Sequence, residues 1–189
     1  MSVKRGLALL LLLPLLFVLN SCKTFTWNQK LTVTVEAPSG EVSGSSVTRM
    51  KVISKPKTLP DAGTVEAKLT GEAVVVEVLP GRYLFALLDL GWAEAAYADA
   101  RTGIGKEGFE DFMRHIVAQK GKPAVPLPPD ALPRLVTFGD ISDPTSVALV
   151  DPDNLAASFG PGVRLKSVTL EITDEPVTAR LVEKVLPWL

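Results

Sequence analysis

The chain of 189 residues carries 20 Lys+Arg and 21 Asp+Glu, for a formal net charge of −1, and it contains one cysteine and one histidine. Hydrophobic residues make up 47% and charged residues 22%, which is typical of a globular protein and argues against collagen, coiled coil and disorder. One cysteine and one histidine are too few for a structural zinc site, an iron–sulfur cluster or an intrachain disulfide, and without a basic excess a nucleic-acid partner is not expected.

Residues 1–22 have the layout of an export signal. Lys4 and Arg5 give a positively charged start, and the run from Leu7 to Leu19 is apolar at every position except Pro14. That run is shorter than the roughly 20 residues that a transmembrane helix needs, so a cleaved signal peptide is favoured over a membrane span. We therefore predict that residues 1–21 are removed.

The segment Leu19-Asn20-Ser21-Cys22 ends this region. A large aliphatic residue three positions before a cysteine, with a small residue directly before it, resembles the lipobox of bacterial lipoproteins. The resemblance implies that Cys22 is diacylated through its sulfur, that the leader is cut before it, and that Lys23, being other than Asp, permits sorting to the outer membrane. Each buried methylene contributes about 0.8 kcal/mol, so several acyl chains hold a domain at a membrane. The alternative is a buried free thiol at Cys22.

The chain after Cys22 begins with the pattern of an antiparallel sheet. Residues 22–30 are predicted to be a polar tether, and Leu31 to Glu36 alternates apolar and polar residues as a half-buried strand does. In the next strand Arg49 and Lys51 share one face. The turn Leu79-Pro80-Gly81-Arg82 is type II, because glycine accepts the positive φ at its third position. Five short strands predict a β-meander, the later four at residues 47–53, 65–69, 73–79 and 83–90.

The periodicity then changes to that of helices. Trp92 to Ala100 is alanine-rich and is predicted to be helical, and a second helix is expected over about Glu107 to Lys120. The second helix should pack on the sheet, because five apolar residues follow the spacing of one helix face. They are Phe109, Phe112, Met113, Ile116 and Val117. The proline-rich segment Lys122 to Pro133 cannot continue a helix or a central strand.

Short elements follow toward the C terminus. Leu135 to Phe138 is a predicted strand, and Leu155 to Phe159 a single helical turn with Asp153 or Asn154 as its cap and Gly160 at its end. The apolar phase of the strand Val163 to Thr173 changes, which predicts a bulge near Lys166-Ser167.

A last amphipathic helix is expected from about Pro176 to Pro187. Its apolar residues recur with helical spacing. They are Val177, Leu181, Val182, Val185 and Leu186.

A glycine-rich motif and the single histidine were considered as catalytic or cofactor sites, and neither is favoured. Gly103 to Gly108 matches the dinucleotide fingerprint, but no strand feeds into it, and the acidic residue at the right distance, Asp130, lies in the proline-rich segment. His115 lies off the apolar stripe of its helix beside Asp111, which is typical of a solvated histidine. No Gly-x-Ser-x-Gly nucleophile motif accompanies that histidine.

Four aspartates are concentrated in one stretch of the sequence, at positions 140, 143, 151 and 153. Oxygen-rich loops can bind calcium, and Asp151-Pro152-Asp153-Asn154 is the best candidate within this stretch. The spacing matches no twelve-residue calcium loop, however, and Asp-Pro pairs commonly start turns. Turns and caps are therefore favoured over an ion site.

Three segments of the mature chain resemble uncharacterised exported proteins of proteobacteria. They are Leu31 to Val35, Gly44 to Val47, and the run from Leu135 through Thr178 to Leu189. This resemblance implies that the protein is exported, and it assigns no activity to any residue of this chain.

These observations predict one α+β domain over residues 31–189, an antiparallel β-meander sheet packed by two amphipathic helices. The expected function is that of a non-enzymatic binding or structural lipoprotein of the cell envelope, bound to the outer membrane through lipid on Cys22, facing the periplasm and using no cofactor. Two alternatives stay open: a periplasmic hydrolase with an acidic site between Asp140 and Asp153, and an accessory subunit of an envelope complex. Carboxylates that converge in one pocket would favour the first, and an exposed apolar patch the second.

Overall fold

The computed structural model describes residues 22–55, 65–98 and 108–189. Nine strands form two antiparallel sheets within these residues, together with three short α-helices. The strands are β1 (Lys23–Ala37), β2 (Gly40–Ser54), β3 (Val65–Thr70), β4 (Val74–Leu79), β5 (Arg82–Ala86), β6 (Val125–Pro126), β7 (Leu135–Phe138), β8 (Val147–Val150) and β9 (Arg164–Thr173). The helices are α1 (Trp92–Ala96), α2 (Phe109–Val117) and α3 (Leu155–Phe159).

Sheet one has the strand order β3-β2-β1-β9-β6, and its centre is the long hairpin of β1 and β2. The two strands pair without interruption from Lys23 opposite Ser54 to Ala37 opposite Gly40, around a turn of two residues. The predicted tether over residues 22–30 is therefore wrong, because β1 begins at Lys23. Alternate residues of this segment, among them Phe25 and Trp27, are buried on the same face as the later apolar residues of β1.

Sheet two has the order β4-β5-β7-β8, so the prediction of a single meander is wrong. Strands β3 and β4 are consecutive in the sequence, yet β3 pairs with β2 in sheet one and β4 pairs with β5 in sheet two. The chain passes between the sheets at Gly71, whose φ of +143° favours glycine. The coarser prediction of a mixed α+β fold with mostly antiparallel strands is confirmed.

The main core lies between the two sheets. Residues of β1, β2, β4 and β9 that point inward form one buried cluster with the apolar faces of the three helices. A second cluster covers the opposite face of sheet two, where Phe85 and Val136 pack against Leu186. Sheet two is thus covered on both faces, whereas sheet one has an inner face in the core and a polar outer face.

Helix α2 confirms four of the five residues of the predicted apolar stripe, whereas the fifth, Val117, is exposed. Phe112, Met113 and Ile116 are buried, and Phe109 is half-buried against the core. The described part of the other predicted helix, α1, buries Trp92 and Ala93.

Local predictions in the C-terminal half are also confirmed. Strand β7 has the predicted bounds, and α3 ends at Gly160, whose φ is +100°. The pairing of β9 with β1 shifts between Thr34 and Val35, and the shift leaves Lys166 as the extra residue of a bulge. The Asn154 side chain makes no cap hydrogen bond, although the helix begins directly after it.

The predicted C-terminal helix is wrong, because residues 176–189 form turns, a bend and irregular segments without a helix. The Glu72 carboxylate accepts hydrogen bonds from the backbone N–H groups of Arg180, Leu181 and Val182, which in a helix would bond to carbonyl groups of the preceding turn. Arg180 also has a φ of +61°, outside the helical range. The apolar residues of the segment pack on sheet two nonetheless, so helical spacing here reflects burial without a helix.

Candidate functional site

Cys22 is exposed and directly precedes β1. Its neighbour Lys23 already pairs with Ser54 of β2, so no free segment separates the cysteine from the folded sheet. The exposure of Cys22 does not fit the alternative of a buried thiol. A group attached to the sulfur would therefore be held at the end of the β1–β2 hairpin that lies opposite its turn.

The outer face of sheet one is basic beside this end of β1. Arg49 and Lys51 of β2 and Lys68 of β3 are exposed there, and we call these three residues the basic face. Lys51 lies opposite Thr26 on one side and directly opposite Lys68 on the other. Among the described residues no carboxylate pairs with either lysine, and Glu66 forms its ion pair with Lys55 instead.

The same face is charge-paired at its other end. Arg164 and Lys166 of β9 form ion pairs with Glu36 of β1 and Glu41 of β2, respectively. On this face Arg164 and Lys166 therefore have carboxylate partners, whereas the described residues provide none for Lys51 and Lys68.

A shallow groove runs along the edge of β1 next to Cys22. Strand β9 reaches only as far as Thr173 opposite Asn28, so within the described residues the start of β1 pairs with β2 alone. Helix α2 lies beside this edge, and the groove of about 480 Å³ is lined by Thr24, Phe25, Thr26, Arg114, Val117 and Ala118. Val117 is 36% exposed because it faces this groove.

The four candidate aspartates do not converge. Asp140 accepts a hydrogen bond from the Ser142 N–H at 2.9 Å, and Asp151 accepts one from the Asp153 N–H at 2.9 Å. Asp143 accepts from both the hydroxyl and the N–H of Thr145, which hold the pKa of its carboxyl below the usual value. In residues 22–55, 65–98 and 108–189 no group of three or more acidic, cysteine or histidine side chains could hold a metal ion.

His115 is half-buried, so its side chain is less solvated than predicted. Its Nε2 accepts a hydrogen bond from Gln119 Nε2 at 2.7 Å, and its ring contacts the ring of Tyr97 at 6.3 Å between centroids. Asp111 pairs with Arg114 rather than with the histidine. Burial and the nearby charge of Glu171 raise the pKa of Tyr97, so this phenol stays neutral.

The dinucleotide-like glycine motif lies outside the described residues except for Gly108, which directly precedes α2. Asp130, its predicted acidic partner, lies in a short 3-10 turn over Pro129–Ala131.

An apolar edge was missed by the sequence analysis. Strand β8 lies inside the stretch of the four aspartates, where turns and caps were favoured, and it forms the outer edge of sheet two. Leu149 is 71% exposed and Val147 is 51% exposed on this strand. A groove of about 650 Å³ runs beside it, with Asp89 and Asp151 among its lining residues. The continuous apolar run Val147–Val150, bounded by turn residues, is the signal that could have indicated the strand.

None of the helices in the described part of the chain is long and apolar enough to cross a membrane. Comparison with protein-family models, curated proteins and solved structures finds no match to this chain.

Proposed function

We propose that the protein is a lipoprotein of the bacterial cell envelope and that its folded domain is a non-enzymatic binding or structural module. Acyl chains on Cys22 would hold the domain at the outer membrane, facing the periplasm. The observation that carries the proposal is the position of Cys22: it follows a segment with the layout of an export signal and is the exposed residue from which β1 begins.

The local chemistry around Cys22 supports attachment at this position. The sulfur needs to be accessible to receive lipid, and Cys22 is the one cysteine of the chain. Because pairing with β2 starts at the next residue, the first residues of the sheet would lie at the level of the lipid headgroups. The domain would then rest against the leaflet rather than extend from it on a linker.

The environment of the acidic residues supports a non-enzymatic role over a hydrolase. A general acid and base need two titratable groups that face one reacting centre. Here Asp140, Asp143 and Asp151 each hold their own turn, and each does so through backbone or side-chain donors within two residues. This arrangement stabilises the loops before and after β8 and leaves the hydrolase without a supporting observation.

Mass spectrometry of the protein isolated from membranes tests the proposal. We expect the mature N terminus to be Cys22 carrying acyl groups, and Cys22→Ser to abolish both the modification and the cleavage that depends on it. Ser21→Ala is the matched control, because a small residue before the cysteine is retained. An unmodified Cys22, or cleavage at another position, would refute the lipid anchor.

A second candidate function is that of an accessory subunit in an envelope complex, favoured by the apolar edge of β8. Edge strands with exposed apolar side chains can pair with a strand of another protein. Leu149→Glu should then release a partner that co-purifies with the wild-type protein from membranes. A partner that is retained by Leu149→Glu would argue against this edge as the contact.

A further inference from the structure

We propose that the basic face of sheet one docks on anionic phospholipid headgroups of the leaflet that holds the acyl chains, an inference that rests on the proposed lipid attachment at Cys22. The basic face consists of Arg49, Lys51 and Lys68, all exposed. Docking would fix the orientation of the domain on the membrane and so determine which of its surfaces faces the periplasm.

The distance between Cys22 and the basic face fits one leaflet surface. Four residues of strand separate Cys22 from Thr26, which is about 13 Å at the rise of a β-strand. Lys51 lies opposite Thr26, and Lys68 lies one strand further from β1. Neighbouring strands are about 4.8 Å apart, so both ammonium groups lie within reach of headgroups around the anchored cysteine.

Only the outer face of the sheet is available for this contact. The inner face near Cys22 is covered by α2, which also binds Lys23 through an ion pair with Glu110. On the outer face the residues of β1 are Thr24 and Thr26, whose short side chains let a flat surface approach the two neighbouring strands. A domain without a tether can therefore bring its outer face, and not its inner face, against the leaflet.

The charges on this face match an anionic surface. Lys51 and Lys68 lie directly opposite each other, an arrangement that is destabilising for like charges. Counting the neighbouring ion pairs Lys55–Glu66, Lys30–Glu175 and Lys120–Asp174, the region carries six basic and three acidic residues, although the whole chain has a net charge of −1. Phosphate groups of anionic lipids would relieve the repulsion between the two lysines.

Vesicle binding of the unlipidated chain tests the basic face independently of the anchor. The chain from Cys22 to Leu189 contains every described element, and Cys22→Ser prevents acylation. We expect it to sediment with phosphatidylcholine vesicles that contain phosphatidylglycerol and not with pure phosphatidylcholine vesicles. Raising the salt from about 0.1 M to 1 M should abolish binding, because the Debye length falls from about 10 Å to about 3 Å.

Two double variants locate the contact. Lys51→Gln with Lys68→Gln should lower vesicle binding roughly thirtyfold, since each lysine near an anionic surface contributes about fivefold. Arg164→Gln with Lys166→Gln removes the same charge from the other end of the same face and should leave binding unchanged.

Three results would overturn the proposal: equal binding to both kinds of vesicle, equal losses in the two double variants, or binding of inorganic phosphate by the wild-type chain without binding to vesicles. Because this chain carries no lipid, vesicle binding can fail while mass spectrometry still finds an acylated Cys22, and the reverse can also occur. The two proposals are therefore tested separately.

Discussion

The two ends of the β1–β2 hairpin are built from the same strands and differ in what surrounds them. At the closed end, near the turn at Pro38-Ser39, β9 pairs with β1 and Glu36 and Glu41 neutralise the neighbouring basic residues. At the open end, residues 23–27 and 50–54, the described residues provide neither a second strand beside β1 nor a carboxylate partner for Lys51.

Within this one sheet, the closed end stabilises the fold, and the open end has groups that a partner surface could contact. At the closed end the backbone of β1 pairs on both sides and the basic residues of β9 have carboxylate partners, so these contacts contribute to the free energy of folding without needing a partner. The open end carries like charges on facing strands and an apolar groove beside its edge, and both are features that a bound surface would stabilise. Cys22 lies at the open end, where our proposals place the membrane.

At the open end, the inner face of sheet one should be covered by α2, and only the outer face should be free. Phe112→Ala tests this and should have the largest effect on stability. Phe112 of α2 is 1% exposed and packs in the core beneath β1. Its truncation should lower the free energy of unfolding by about 3–5 kcal/mol, the usual cost of removing a buried phenylalanine ring. Val117→Ala, at the exposed end of the same stripe, should cost less than about 1 kcal/mol in denaturant melts. Equal losses would mean that the groove is part of the core.

The closed end should depend on the close approach of the two sheets at Gly44. A Cβ at this position would overlap the Val75 carbonyl oxygen of β4 and lie 2.9 Å from its carbonyl carbon. Because backbone must move to make room, Gly44→Ala should destabilise the protein by about 1–3 kcal/mol or more. Ser43→Ala, one residue away on the exposed face, should change stability by less than about 0.5 kcal/mol. A Gly44→Ala protein as stable as wild type would show that the sheets do not touch here.

The C-terminal segment contacts the hairpin between its two ends, and hydrogen bonds to Glu72 hold this segment in place. Thr178 exchanges two hydrogen bonds with Val47 in the middle of β2, and the Glu72 carboxylate accepts three backbone N–H groups of the same segment. Burial raises the pKa of Glu72, but these three donors and the charge of Lys184 outweigh it, so the pKa lies below its usual value.

The contribution of Glu72 to stability should therefore depend on pH. A carboxyl whose pKa is lower in the folded state stabilises the protein above its unfolded pKa and loses that effect as the pH falls through the folded pKa. Glu72→Gln should cost about 1–2 kcal/mol at neutral pH, as expected for hydrogen bonds to a charged acceptor, and the difference from wild type should shrink in acid. Glu66→Gln is the control, because this exposed carboxylate has Lys55 as its ion-pair partner and no backbone N–H donor among the described residues. A difference that is constant from neutral to acidic pH would contradict this role.

Short-range patterns were predictable from the sequence, and long-range pairings were not. The positive φ of Gly81 and the bulge at Lys166 follow from neighbouring residues, and both are confirmed. The start of β1 was misread because Gln29 interrupts the apolar face, although it is fully buried and accepts a hydrogen bond from Trp27 Nε1 at 2.8 Å. The prediction of a C-terminal helix was wrong because backbone N–H groups of this segment donate hydrogen bonds to Glu72, a residue more than a hundred positions away in the sequence.

The candidate site was likewise predictable only where it depends on neighbouring residues in the sequence. The sequence placed Arg49 and Lys51 on one face of a strand, and β2 confirms this. The sequence could not show that Lys68 lies opposite Lys51, because the register between β2 and β3 joins residues that are separated along the chain by the segment 55–64. Cys22 was predicted as the lipid attachment site from local sequence alone, whereas its direct connection to the sheet is evident only from the start of β1 at Lys23.

The smallest expected effects should have opposite signs at the two ends of the hairpin. Lys166→Gln at the closed end removes an exposed ion pair with Glu41, and such pairs contribute about 0–1 kcal/mol, so stability should fall slightly. Lys68→Gln at the open end removes a like charge directly opposite Lys51, so stability should rise by about 0.2–1 kcal/mol. Both differences should shrink in 1 M salt, where the Debye length is about 3 Å. Urea melts of the two variants at low and high salt measure them. If Lys68→Gln destabilised the protein as Lys166→Gln does, Lys68 would already be compensated within the fold, and the open end would have no unpaired charge to offer a membrane.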